Sequence, residues 1–159
     1  MRKMLKASFI VLVLLFLTIQ LVKPLRTNPP IDPSREIGAV HPMPPVVSAL
    51  LQRSCNDCHS NRTVWPWYST VAPASWVVAH DVNDGREALN LSDWSAYTGE
   101  KRQKLAGKMC EEAKGREMPI SQYALVHPSA RLSATDVQAL CSWTKQIAPQ
   151  SGEEKEEGD

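Results

Sequence analysis

The chain has 159 residues, which suits one compact domain with short additional segments, and its formal net charge is +1. Residues 1–26 contain five of the 18 lysine and arginine residues and none of the 17 acidic residues, so the rest of the chain is net negative. No basic stripe or face follows from this distribution, and we therefore expect no nucleic-acid partner.

The first predicted element is an apolar segment between basic residues. A mostly aliphatic run covers residues 7–22, three basic residues precede it, and Lys23 and Arg26 follow it. The run is long for the core of a signal peptide and slightly short for a membrane span, and no small-residue cleavage site follows it. We predict that residues 1–26 form an uncleaved transmembrane signal anchor in the bacterial inner membrane, with a signal peptide as the alternative. The basic end is expected to stay cytoplasmic.

The next segment, residues 27–44, is predicted to be a proline-rich spacer. Seven of the 12 prolines lie within residues 24–45, and such a segment resists helix and sheet. The folded domain is predicted to cover residues 45–148. Residues 149–159 form an acidic tail that is expected to be disordered.

Four helices are predicted within the domain, and no series of strands is visible, so the fold class is all-α. The helices begin near Pro45, Pro73, Thr98 and Ser133. The third is expected to end at Gly115, and Asp136 gives the fourth a capping box with Ser133.

The strongest chemical signal is the sequence Cys55-Asn-Asp-Cys58-His59, a Cys-x-x-Cys-His motif of the kind that attaches haem c. Residues three apart on a helical turn share a face, so both thiols can add to vinyl groups of one porphyrin. The imidazole of His59 then binds the iron. A thioredoxin-like redox pair, a zinc site and a plain disulfide between the two cysteines are the alternatives.

A haem iron bound by one histidine either takes a second axial ligand or stays open. We predict Met118, which follows the expected helix end at Gly115 and precedes a proline that stiffens the loop. His127, which also precedes a proline, is the main alternative. Less favoured candidates are His80, His41, Met109 and Met43.

Aromatic and basic residues near the motif are candidate haem contacts. Trp65 and Trp67 follow His59 closely and offer flat apolar area against a porphyrin. Arg62 and Arg86 can pair with haem propionates, although exposed surface is their default environment.

Two further cysteines, Cys110 and Cys141, lie on different predicted helices. They form either a disulfide or two buried free thiols.

The run Cys55-Asn-Asp-Cys-His-Ser-Asn-Arg-Thr-Val-Trp-Pro-Trp-Tyr68 resembles the signature of the bacterial haem-binding domain family. Later segments are also similar: Ala72–Trp76, Gly85-Arg86, Asn90–Trp94, Met118-Pro119 with Tyr123, His127-Pro128 and Trp143. The resemblance covers about residues 40–147 and implies a domain with one c-type haem. The order of the haem motif, Met-Pro and a final helix also resembles class I cytochrome c, which implies a small cytochrome c-like fold.

The predicted function is that of a periplasmic electron carrier with one covalent haem c, rather than an enzyme. Its partners would be redox proteins of the periplasm or the membrane. The alternative is a peroxidase-like or gas-sensing haem domain with an open or labile sixth site.

Overall fold

The structure, a computed structural model, describes residues 1–148. Within them it contains eight α-helices and no β-strand. Helices α1 to α8 span Arg2–Ile19, Ile37–Val40, Pro45–Ser54, Asn56–His59, Ala74–Ala88, Gly99–Gly115, Ser121–Val126 and Ala134–Ile147. Short 3₁₀ helices lie at Pro33–Arg35, Trp67–Thr70, Leu91–Ala96 and Pro128–Ala130. The all-α prediction is thus confirmed for this part of the chain, and the predicted acidic tail lies outside it.

The four helices predicted in the domain are confirmed. α3 begins at Pro45 and α5 at Ala74. The side chain of Thr98 caps α6, and Ser133 forms the expected capping box with Asp136 at the start of α8. These caps satisfy backbone N–H groups that the first turn of a helix leaves without partners. The sequence does not predict α7, because six residues are too few to show a helical period.

The hydrophobic core lies where α3, α6 and α8 meet. Val47 and Leu50 of α3 are fully buried, and Trp94 and Trp143 are buried beside them. The indole N–H of Trp143 donates a hydrogen bond of 3.1 Å to the carbonyl of Pro42. The core therefore fixes α6 and α8 relative to α3, and the haem motif follows directly from the end of α3.

α1 differs from the helices of this core. None of its residues is buried, and its side chains are apolar on every side over residues 9–17. None of the helices in residues 1–148 combines the length and the apolar character required to cross a membrane.

The segment after α1 packs against the domain, whereas its prolines predict an extended spacer. The side-chain amide of Gln20 donates to the carbonyl of Ala72 at 3.1 Å and accepts from the same residue's N–H at 2.8 Å. The indole N–H of Trp76 donates to the carbonyl of Val22 at 2.8 Å.

Contacts continue through the part of this segment predicted to be a spacer. Ile37 of the short helix α2 is buried in the core, and Arg35 forms an ion pair of 3.1 Å with Asp93. The physical reason for the difference is that the residues between the prolines find apolar and polar partners on the domain.

The disulfide alternative for the second cysteine pair is confirmed. Cys110 of α6 and Cys141 of α8 are bonded to each other, with a Cα–Cα distance of 4.8 Å. The bond joins two helices that pack along each other. It therefore links α6 and α8 covalently in the described part of the domain.

Replacing Cys110 and Cys141 together with alanine is expected to lower the free energy of unfolding by about 3–4 kcal/mol, because the bond restricts the unfolded chain. The two residues are separated by 31 positions in the sequence. Chemical denaturation of the variant and of the wild type measures the loss. Wild type treated with a reductant is the control, and it should match the variant. A difference under about 1 kcal/mol between oxidised wild type and variant would contradict the expected contribution.

Candidate functional site

The Cys-x-x-Cys-His motif occupies one helical turn. α3 ends just before Cys55, and α4 begins just after it. The carbonyl of Cys55 accepts hydrogen bonds from the backbone N–H groups of Cys58 at 3.2 Å and His59 at 2.9 Å. Both thiols are free, so the alternative disulfide between Cys55 and Cys58 is not formed, and the other two cysteines bond to each other. The turn thus places two free thiols three residues apart, next to an imidazole.

The imidazole of His59 is oriented by the end of α5. Its Nδ1 lies 2.8 Å from the carbonyl oxygen of Gly85 and 3.1 Å from that of Leu89. Carbonyl oxygens only accept hydrogen bonds, so Nδ1 is the donor and, in the neutral ring, Nε2 is the nitrogen that keeps a lone pair. This is the tautomer that binds a metal ion through Nε2, and the outer hydrogen bond fixes the ring.

α5 approaches the motif most closely at Gly85. A Cβ atom built at this position would lie 2.6 Å from the carbonyl oxygen of Cys58 and 3.0 Å from its Cβ. A glycine weakens the middle of a helix, but here it allows two backbones to touch. The same contact brings the Gly85 carbonyl within reach of His59.

Two neighbouring cavities open beside the motif. Their volumes are about 640 Å³ and about 240 Å³. Residues common to both are Cys55, His59, Ala88, Met118 and Pro119. The larger cavity is also lined by apolar side chains, among them Leu89, Leu91, Leu105, Met109, Leu132 and Leu140. Its size and apolar lining are typical of a cofactor site.

Burial suppresses the ionisation of both motif thiols. It raises the pKa of Cys55 to about 12 and the pKa of Cys58 to about 11, and Asp81 and Asp57 add to the effect at Cys58. A catalytic dithiol needs a lowered pKa, because the thiolate is the reacting form. The pair therefore lacks the character of a thioredoxin-like redox centre.

Met118 lines both cavities and is thereby brought to the same site as His59. After α6, Arg116 adopts a left-handed backbone conformation with φ 60°. The N–H of Met118 then donates to the carbonyl of Glu112 at 3.2 Å. This turn directs the loop back along α6, and the Met118 side chain is 39% exposed.

His127, the alternative ligand, lies outside both cavities. Its ring stacks on Tyr123 with the ring centroids 4.2 Å apart, and its Nδ1 lies 3.2 Å from the carbonyl oxygen of Tyr123. Its Nε2 lies 3.4 Å from the hydroxyl of Tyr68. His127 is therefore part of an aromatic cluster and has hydrogen-bond partners at both nitrogens.

Trp65 and Trp67 are not brought to the cavities that His59 and Met118 share. The indole N–H of Trp65 donates to the side chain of Asn28 at 3.1 Å. Trp67 is 80% exposed and lines a neighbouring apolar groove, which Cys58 and Tyr123 also line. Trp65 is close to His59 in sequence, but its hydrogen bond directs the ring toward the N-terminal segment.

The two candidate arginines are engaged by the protein itself. Arg86 donates four hydrogen bonds of 2.7–2.9 Å, to Ser60, Thr27, Asn28 and Thr63. The guanidinium group of Arg62 donates to both carboxylate oxygens of Glu36, at 2.7 and 3.1 Å. Arg86 therefore holds the loop after the motif to the N-terminal segment. The structure gives neither arginine an exposed, unpaired head group.

The polar residues directly after the motif support its backbone. Ser60, Asn61 and Thr63 are buried. The hydroxyls of Ser60 and Thr63 donate to the carbonyls of Asn56 and Asp57, each at 2.7 Å. Buried polar groups need such partners, so these residues act on the geometry of the motif rather than on a ligand.

Asp57 and Tyr123 form a pair that the sequence does not reveal. The hydroxyl of Tyr123 donates to the carboxylate of Asp57 at 2.7 Å, and both residues line the smaller cavity. Burial, followed by this hydrogen bond, raises the pKa of Tyr123, so the hydroxyl remains a donor. The only signal was that Tyr123 lies near Met118, and nothing in the spacing indicates a partner 66 residues away.

These residues fit a c-type haem. Two free thiols lie on one turn, the adjacent histidine is held through its Nδ1, and an apolar cavity with a methionine adjoins them. A structural zinc site requires four cysteine or histidine ligands. No group of three or more His, Cys, Asp or Glu side chains in residues 1–148 is placed to hold a metal ion.

Comparison with known proteins agrees with this fit. A family model described as a haem-binding domain matches residues 14–146, which include the motif and every cavity-lining segment. No curated protein and no solved structure matches the chain. The family match covers most of the chain and supports haem as its cofactor. The chain belongs to the haem-binding domain family.

Proposed function

We propose that the protein is a c-type cytochrome with one haem, attached through Cys55 and Cys58 and bound at the iron by His59. The observation that carries the proposal is the pairing of two free thiols on one turn with an imidazole whose Nδ1 is held by a backbone carbonyl, which leaves Nε2 as the metal-binding nitrogen. Addition of each thiol to a vinyl group forms a thioether bond. Covalent attachment retains the cofactor in a domain too small to enclose it.

Met118 is proposed as the sixth ligand, which makes the protein an electron carrier. Met118 supports this role because it lines both cavities together with His59. A haem held by histidine and methionine supplies one-electron transfer at a raised reduction potential. The protein contributes an oriented His59 ring and apolar side chains along the cavity wall.

A labile sixth ligand is the second candidate, and it corresponds to a peroxidase-like or gas-sensing domain. The observation that favours it is the position of Met118 in the loop between α6 and α7, where the side chain is 39% exposed. A ligand on such a loop leaves the iron more easily than one on a packed helix.

The proposed location is the periplasmic face of the inner membrane, with redox proteins as partners. The disulfide, which suits an oxidising compartment, supports a location outside the cytoplasm. Fractionation of cells is the test, and the protein should be recovered outside the cytoplasmic fraction. Its recovery in the cytoplasmic fraction would contradict the location.

The experiment that tests the haem proposal combines absorption spectra of the oxidised and reduced protein with a pyridine haemochrome assay. Acid–acetone extraction should leave the haem on the chain, and the assay should report one haem with two thioether bonds. A low-spin spectrum that does not change with carbon monoxide supports the electron carrier. Rapid carbon monoxide binding would favour the labile site, and extractable haem would contradict covalent attachment.

Replacing Met118 with alanine is expected to leave the haem attached and to convert the iron to a high-spin form that binds carbon monoxide. The far-red band of a thioether–iron bond should disappear. Met109→Ala is the matched control, since Met109 also lines the larger cavity and should keep the low-spin spectrum. An unchanged spectrum in Met118→Ala would show that another residue is the ligand, and His127→Ala would then test the alternative.

A further inference from the structure

A row of three lysines on α6 lines the larger cavity. Lys101, Lys104 and Lys108 are spaced by three and four residues, which places them on one face of the helix. All three side chains are exposed, and within residues 1–148 none lies in an ion pair with an acidic group. Lys101 lies over the ring of Tyr97, with its Nζ 4.6 Å from the centroid.

These lysines are the cations that the described part of the chain presents to the two cavities. The arginines that the sequence offers as alternatives are engaged elsewhere, Arg62 by Glu36 and Arg86 by four hydrogen bonds. Among residues 1–148, a haem with two carboxylates placed in the larger cavity would therefore meet lysine or arginine side chains only on α6.

The position of the thioether bonds sets the direction of those carboxylates. In haem, the two vinyl groups lie on one side of the macrocycle and the two propionates on the opposite side. Attachment at Cys55 and Cys58 thus turns the propionates away from α4. The larger cavity is lined by His59 at the end of α4 and by residues of α6, and the main helix contacts of α4 are with α5 and those of α6 with α8.

We propose that Lys101, Lys104 and Lys108 form the propionate-binding edge of the haem cavity. The inference rests on the proposed function and assigns to it the residues that bind the carboxylate end of the cofactor. Glu100 and Glu112 also line this cavity, four residues from Lys104 and Lys108 respectively. Such pairs on an exposed helix face are weak, and propionates at the cavity mouth replace them as partners of the lysines.

The test uses the full-length holoprotein with Lys104 and Lys108 both replaced by glutamine. Lys114→Gln is the control, because Lys114 lies on the same helix, is exposed and does not line the cavity. Proteins are compared at equal haem content by pyridine haemochrome. The readouts are the propionate bending band in resonance Raman spectra and the midpoint reduction potential.

The double variant should shift the propionate band and lower the potential, since loss of positive charge disfavours the more negative reduced haem. Lys104→Arg with Lys108→Arg should restore both readouts, and Lys114→Gln should change neither. An unchanged propionate band in the double variant would overturn the assignment, as would an equal shift in Lys114→Gln. Absence of covalent haem in the wild type would instead refute the proposed function, and the assignment with it.

Discussion

Replacing Gly85 with alanine is expected to lower the free energy of unfolding by about 2–3 kcal/mol, because the new methyl group overlaps backbone that cannot move freely. The added Cβ would lie 2.6 Å from the carbonyl oxygen of Cys58. Relief of the overlap requires α5 to move away from α4, which lengthens the hydrogen bond between the Gly85 carbonyl and Nδ1 of His59. The substitution should therefore destabilise the fold and also leave the His59 ring, the proposed iron ligand, less firmly oriented.

The control for this variant is Gly107→Ala, the same substitution in the interior of α6. A Cβ at Gly107 meets no atom within 4 Å, so alanine there should raise the free energy of unfolding by up to about 1 kcal/mol through helix propensity. Denaturant unfolding of both variants measures the contrast. Equal stability of the Gly85 and Gly107 variants would contradict the close approach of α5 and α4.

Replacing Cys55 and Cys58 together with alanine is expected to abolish covalent haem. No thioether bond can form without the thiols, and Cys110 and Cys141 are occupied by each other. The pyridine haemochrome of acid–acetone-treated protein should fall to the level of a blank. Each single variant should keep one thioether bond and shift the haemochrome band accordingly.

The matched control for the haem-deficient variant removes the other two cysteines. Cys110→Ala with Cys141→Ala should retain covalent haem while losing stability, because the disulfide joins α6 to α8 without touching the motif. Covalent haem that persists in the Cys55 and Cys58 double variant would refute attachment through the motif.

Local signals predicted most of the helical fold. Capping residues at Thr98 and Ser133 are local in the sequence, so the starts of α6 and α8 follow from short-range chemistry. The motif itself is also local, and its free thiols and turn geometry agree with the sequence prediction. The disulfide was one of two open alternatives, because a pairing between distant helices depends on how they pack.

The parts that the sequence did not predict all depend on contacts between distant residues. From the sequence, Arg86 is a candidate partner of a haem propionate. In the fold, four acceptors from residues 27–63 surround its guanidinium group instead. From the sequence, Gly85 only weakens the second predicted helix. In the fold, it makes room for the backbone of Cys58. Trp65 lies close to the motif in sequence, yet the loop carries its ring to Asn28.

The docking of residues 20–28 onto the domain changes how freely the haem cavity can reorient. If residues 23–44 were a flexible linker, the root-mean-square distance between its two ends would be about 25 Å. Hydrogen bonds from Gln20, Trp76 and Arg86 replace that freedom with a nearly rigid joint. The end of α1 and the cavity mouth therefore keep one fixed orientation relative to each other.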